Sequence, residues 1–211
     1  YGGLKMVKRM KYSKEFKIDT IRLCDESSLT QRDFEKGHIV LLGDCVFEHM
    51  DIDRYFNRLI VYNNGISEDT TTTLLESLYK RAIKYKPRKL FISIGSHDLA
   101  YDNLSVKEIY QNIIDITTEI QKRSKETEIF ILTALPVNPA NKSYINRDVV
   151  DRVDNFEVNM LNYYIKNYAR RNHIKVVDGY KHLKNDLDQL CLDYTTDGFH
   201  LNDTGYTIMS N

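Results

Sequence analysis

Apolar residues recur along this chain in two alternating rhythms. Short continuous runs at 39–42, 59–62, 89–95, 128–134 and 174–177 each stop at Gly, Asn, Asp or Pro. Runs of that length, closed by turn residues, read as strands buried on both faces. Between them apolar positions return at helical spacing. Leu74, Leu75, Leu78, Tyr79, Ala82 and Ile83 share one face, and Pro87 ends the pattern. Val106, Ile109, Tyr110, Ile113, Thr117 and Ile120 form a second stripe, opened by the capping-box pair Ser105 and Glu108. A third helix is expected over 149–171, with Val153, Phe156, Met160, Leu161, Tyr164, Ile165 and Tyr168 facing in.

Strands alternating with helices, without hairpin signals, predict a parallel sheet covered on both faces. The fold class expected is therefore α/β, a three-layer α/β/α sandwich on a five-stranded parallel sheet. Strand order does not follow from the pattern. Asn63-Asn64-Gly65 reads as a turn after the second strand, and 46–56 as a loop with a short helix. The segment 180–203 reads as loop with short helical pieces, and 205–211 as the opening of a last helix, cut short. Residues 1–36 are charged, with scattered Phe16, Ile18, Ile21 and Leu23, and read as a helical extension packed on a single domain over 37–211.

Composition narrows the partners. The chain has 211 residues, enough for one substantial core, with 30 basic and 30 acidic side chains. That balance gives no electrostatic reason for nucleic acid binding. No apolar run approaches the roughly 20 residues of a membrane span. No signal-peptide pattern is visible, and Cys24, Cys45 and Cys191 are odd in number and widely spaced. The expected setting is reducing and cytoplasmic, with a homo-oligomer left open.

The chemistry gathers where strands end. Gly43-Asp44-Cys45 follows the first run, Asn64-Gly65 the second and Ser96-His97-Asp98 the third. In a parallel sheet all three project from the edge where α/β folds bind ligands. Near the C-terminus Asp197 and His200 are three apart, a spacing that can set a carboxylate and an imidazole on one turn of backbone. A nucleophile, a base, a carboxylate that orients the base and nearby N–H donors make up the layout of acyl transfer.

These stretches are also sequence blocks of a known family. GDC at 43–45, NNGISEDTT at 63–71, IGSHDL at 94–99 and TTDGFHLNDTGY at 195–206 stand in its order. From about residue 36 onward the chain resembles the SGNH (GDSL-like) hydrolases, and within them the bacterial acylhydrolases related to the platelet-activating-factor acetylhydrolase subunits. The resemblance implies a flavodoxin-like sandwich and hydrolysis of acyl or acetyl esters of small substrates, without a cofactor. It implies Cys45 as nucleophile, His200 as base and Asp197 as orienting carboxylate. The implied oxyanion hole is the Cys45 and Gly65 backbone N–H groups and the side chain at 97. The chain departs from the family pattern at two of these positions: Cys45 replaces the nucleophilic serine and His97 the oxyanion asparagine.

Two rivals follow from those replacements. One is a family member that binds without turnover. The other is a metal centre, since Cys45, His97 and His200 are zinc-ligand types. The coupled replacements also suggest a thiolate–imidazolium pair, with His97 helping Cys45 to ionise. Asp44 and Asp98 are read as supports, Asp44 holding its own loop and Asp98 capping the next turn. His38, His49, His173 and His182 read as surface or satisfied core residues, and Cys24 and Cys191 as structural.

Overall fold

The computed structural model describes residues 38–56, 59–101 and 104–210. The extension expected over 1–36, with Cys24, lies outside the described residues. The chain runs β1 (Ile39–Gly43), α1 (Cys45–Glu48), α2 (Ile52–Tyr55), β2 (Val61–Gly65), α3 (Thr71–Arg81), β3 (Lys89–Ser93), α4 (Ser96–Tyr101) and α5 (Val106–Arg123). It continues through β4 (Glu128–Leu132), α6 (Arg147–Val150), α7 (Asn155–Arg171), β5 (Lys175–Val177), α8 (Gly179–Leu183) and α9 (Asp203–Ser210). The five strands are all parallel, in the order β2-β1-β3-β4-β5. That is the doubly wound flavodoxin-like order, in which the crevice lies at the carboxyl ends of β1 and β3.

Successive residues of β1 serve opposite cores. Val40 and Leu42 join Leu74, Leu90, Ile109, Ile116 and Leu161 on the face covered by α3, α5 and α7. Leu41 joins Phe47, Leu135, Leu183, Leu201 and Tyr206 on the face covered by the short helices. Burying each large aliphatic side chain contributes roughly 1.5–3 kcal/mol, so the first face carries much of the stability. The second face, built from short helices and loops, shapes the site.

Three expectations need correction. Asn63, Asn64 and Gly65 are not a turn; they are the second half of β2, paired with Leu41, Leu42 and Gly43. Leu59 and Ile60, placed in the strand by their hydrophobicity, precede it and are half exposed. The reason is that β2 is an edge strand, where asparagines are tolerated because their amides find partners: Asn63 Nδ2 donates to the Phe47 carbonyl, and Asn64 Nδ2 to the Arg81 carbonyl at 2.7 Å. The helix expected over 149–171 is broken, because Asp154 accepts the Phe156 N–H at 2.8 Å and starts α7 afresh. That restart turns Phe156 outward, 71% exposed, and Tyr79 of α3 also faces solvent. The capping box at Ser105 and Glu108 forms at the head of α5.

Candidate active site

Cys45 is placed by its two predecessors. Gly43 sits at φ +140°, and a Cβ there would stand 1.6 Å from the Ser93 carbonyl oxygen, so only glycine fits between β1 and β3. Asp44 then turns the chain, donating its N–H to Ser93 O at 2.9 Å and accepting the Val46 N–H on Oδ1 at 3.2 Å as N-cap of α1. Cys45 begins α1 and is buried. Burial pushes its thiol well above its ordinary value; the Asp44 charge adds to the rise, its own backbone N–H opposes it, and the Glu48 and Asp197 charges add further. That direction runs against the expected thiolate–imidazolium pair.

Asp44 itself is fully buried. Its Oδ2 has no partner in hydrogen-bonding geometry. Burial raises its carboxyl to about 7; the Val46 N–H and the Ser96 hydroxyl oppose the rise, and the Asp98 and Asp69 charges add to it.

Asp197 and His200 come together on one loop, as the spacing suggested. His200 Nδ1 stands 2.7 Å from Asp197 Oδ2, while Asp197 Oδ1 accepts the backbone N–H groups of His200 at 2.7 Å and Phe199 at 3.0 Å. Partial burial pushes the Asp197 carboxyl up, but the hydrogen bonds from the His200 ring and from the backbone N–H groups of His200 and Phe199 outweigh it and hold it below the usual range. In the tautomer that carries its proton on Nδ1, facing the Asp197 carboxylate, Nε2 is the ring's acceptor nitrogen. The loop is pinned on both sides. Asn138 N donates to Gly198 O at 2.8 Å, and Thr195 Oγ1 donates to His200 O at 2.7 Å. Gly198 has φ +88°, and a Cβ on it would meet Asn138 O at 2.6 Å.

Cys45 and His200 line one small cavity of about 10 Å³, together with Ser96, Leu135, Phe199 and Tyr206. A wider groove of about 450 Å³ with mixed walls opens beside it, sharing Leu201 and Tyr206 and lined also by His49, Asp51, Asn202 and Asp203 among others. Neither Gly65 nor His97 lines the cavity. The Gly65 N–H donates to Asn63 Oδ1 at 2.9 Å, and the His97 ring lies against Tyr101 with centroids 4.6 Å apart. Asp98 reaches across to the start of α3, accepting the Thr71 N–H at 2.9 and 3.0 Å and the Thr71 hydroxyl. Among the described residues no three His, Cys, Asp or Glu side chains converge as a metal would require, so the Cys45–His97–His200 centre is not assembled.

Sequence reasoning missed several residues. His49 is exposed but its ring lies 5.2 Å from that of His200, and its Nε2 is 3.3 Å from Ser67 Oγ. Tyr206 is buried and donates its hydroxyl to Val46 O at 2.9 Å, fastening α9 to α1. Asp69 and Arg81 form a buried ion pair beneath the β2 end, with Arg81 also donating to Asn64 O. The only signal for that pair was a charged residue on the apolar side of α3, which a helical wheel flags weakly. His173 and His182 are exposed, His38 is buried with its ring edge-on to Tyr62, and Cys191 is half-buried.

Similarity to known proteins fits this geometry. Residues 42–208 match the GDSL-like lipase/acylhydrolase family. A Streptococcus pneumonia structure, provisionally described as a platelet activating factor, is 26% identical, superposes with a TM-score of 0.79, and the match covers 94% of this chain and 89% of that one. A GDSL-like lipase from Bacteroides thetaiotaomicron is 23% identical with a TM-score of 0.73, over 90% of this chain and 92% of that one. The N-acylneuraminate cytidylyltransferase of Escherichia coli O18:K1:H7 is 26% identical over 174 residues, which are 82% of this chain and only 38% of that protein. No helix among the described residues is long and apolar enough to cross a membrane. The match over most of its length places the chain in the GDSL-like lipase/acylhydrolase family.

Proposed function

We propose that the protein hydrolyses small carboxylic esters through Cys45, His200 and Asp197. The observation that carries this reading is the 2.7 Å Asp197–His200 pair, with His200 lining the same cavity as Cys45. In the proposed cycle His200 Nε2 takes the proton from Cys45 Sγ as sulfur attacks the ester carbonyl carbon. The tetrahedral oxyanion collapses, the C–O bond breaks, and the alcohol leaves with the proton from His200. Water then gives a proton to His200 and attacks the thioester, releasing the carboxylic acid and restoring the thiol. Asp197 holds the ring in the Nδ1–H tautomer throughout and stabilises the imidazolium. The leaving alcohol occupies the wider groove beside His49 and Asp203. The family match, to lipases and acylhydrolases, supports an acylated compound as substrate.

A second reading has its own support. The thiol is raised by burial, the Gly65 N–H is engaged by Asn63, and His97 is stacked on Tyr101. Those features suit a protein that binds an ester without turning it over. Turnover of p-nitrophenyl acetate by pure protein, with an acetyl adduct on Cys45 in the mass spectrum, decides between them. Binding of substrate with neither signal overturns the covalent mechanism.

A further inference from the structure

Helix α7 carries two apolar stripes where an outer helix of a sandwich needs one. Its inner face buries Val158, Leu161, Ile165 and Ala169 in the core. Its outward face should be polar along its length. Instead Phe156 is 71% and Tyr163 66% exposed, with the half-buried Met160 between them. Phe156, Met160, Tyr163, Asn167 and Arg170 follow one another at steps of four, three, four and three residues. That is the rhythm of a seam between two helices. The seam residues have local supports. Tyr163 lies edge-on to Tyr164 with centroids 5.9 Å apart, and Tyr164 stacks on Tyr110 of α5 at 5.2 Å. Arg170 is drawn along the same line, its Nη2 donating to Asn167 Oδ1 at 2.7 Å.

Charge says which occupant fits. The first turn of α7 is acidic, at Glu157, and the last is basic, at Arg170 and Arg171. A helix charged in this way complements a second copy of itself laid antiparallel, which also sets the two helix dipoles against each other favourably. We propose that two copies of this chain associate through the outward faces of α7, antiparallel across a two-fold axis at Tyr163. Tyr163 is the middle residue of α7, so the axis sets it against its own counterpart. Seven residues to either side, Phe156 meets Arg170 of the second copy, a guanidinium on an aromatic face. Glu157 and Arg171 of the second copy fall on the same flank of the seam and pair at its rim. Parallel association would set Arg170 beside Arg170 and lose both matches. The association does not depend on the chemistry at Cys45.

Sedimentation velocity on the full chain over a range of micromolar concentrations reads the association, and cysteine cross-linking reads its register. The expected mass is twice that of the monomer at the upper end of the range. Phe156→Glu and Tyr163→Glu are each expected to weaken association about tenfold or more, as loss of a central aromatic anchor does. Both side chains are exposed, so neither substitution disturbs the core. For the register, Tyr163→Cys is oxidised with diamide: two thiols give up their protons and two electrons, diamide becomes the hydrazine, and an S–S bond joins the two copies. Leu187→Cys, on a loop and 75% exposed, is the control for random collision, and the parent chain gives the background of Cys24, Cys45 and Cys191. Cross-linking at 163 is expected to be at least about tenfold faster than at 187, since the pairing sets the two thiols within disulfide reach. A mixture of Phe156→Cys and Arg170→Cys chains is expected to join 156 to 170 rather than 156 to 156. A monomer at every concentration overturns the proposal. So does a dimer that neither glutamate variant weakens, a 163 cross-link no faster than that at 187, or a preference for 156 joined to 156, which is the mark of parallel helices.

Discussion

Two aspartates flank the site and behave in opposite ways. Asp197, on the C-terminal loop, accepts two backbone N–H groups and the His200 ring, and these partners hold its carboxyl below the usual range despite partial burial. Asp44, at the end of β1, is fully buried with Oδ2 unpartnered, and burial raises it to about 7. The same side chain is held toward its charged form in one place and pushed toward its protonated form in the other. The difference teaches where this site is prepared. The loop presents an imidazole oriented by Asp197, while the strand end holds Cys45 buried with its thiol pushed above its ordinary value.

The largest effects test whether both halves serve one reaction. Cys45→Ala and His200→Ala are each expected to lower kcat/KM for p-nitrophenyl acetate by about 10³ or more, and Asp197→Asn by a similar factor, because such groups act as a unit. Cys191→Ala leaves the rate unchanged. Loss on His200→Ala with activity surviving Cys45→Ala would break the comparison, moving the nucleophile away from the strand end.

Beneath Cys45 the next effects are read as stability. Arg81 is the cation paired with Asp69, both buried, and Asp98 and Asp44 lie in the same buried neighbourhood. Arg81→Met leaves a buried carboxylate without its cation and is expected to cost about 3–5 kcal/mol in urea unfolding. Asp44 gives a pH signature. Its folded value of about 7 lies above the 3.8 of an ordinary aspartate. The stability it contributes is therefore fully present below about pH 4 and is lost as pH rises toward 7. Asp44→Asn removes that slope. At pH 8 the variant is expected to be more stable than the parent by a few kcal/mol, on the order set by about 1.4 kcal/mol per unit. At pH 4 the two should nearly coincide. A parent whose stability is flat between pH 4 and 8 would make Asp44 an ordinary carboxylate and erase its contrast with Asp197.

How much of this was legible depends on whether local pattern or distant contact set each feature. The strands at 39–43, 89–93 and 128–132 and the helix α5 follow from runs, stripes and a capping box, all local. Asp197 and His200 were readable because three residues of one loop bring them together. The asparagines of β2 were misread because what satisfies them, the Phe47 and Arg81 carbonyls, lies 16 and 17 residues away in sequence. The contact of Asp98 with Thr71 at the head of another helix was unreadable for the same reason. His49 carried no pattern at all; only the fold sets it beside His200. A resemblance of blocks located His97 at the strand end, where its ring lies against Tyr101, one helical turn on.

That placement supplies the smallest and most informative prediction. The His97 ring has an aromatic surface to lie on, and Tyr101 in turn faces the Arg152 guanidinium 5.5 Å from its centroid. Asparagine is shorter and has no ring to stack, so His97→Asn frees an amide next to Ser96, which does line the cavity. In a Cys45→Ser background, where the nucleophile is a hydroxyl, that amide can donate to the developing oxyanion. One full donor is worth about 10²–10³ in rate. The expected gain is nearer tenfold, because the Gly65 N–H stays engaged with Asn63 Oδ1. It should appear in kcat with KM unchanged, the mark of an interaction made in the transition state alone. A change in KM without kcat would instead make position 97 part of the substrate wall. No change in either would mean that one amide does not rebuild the strand-end half of the site.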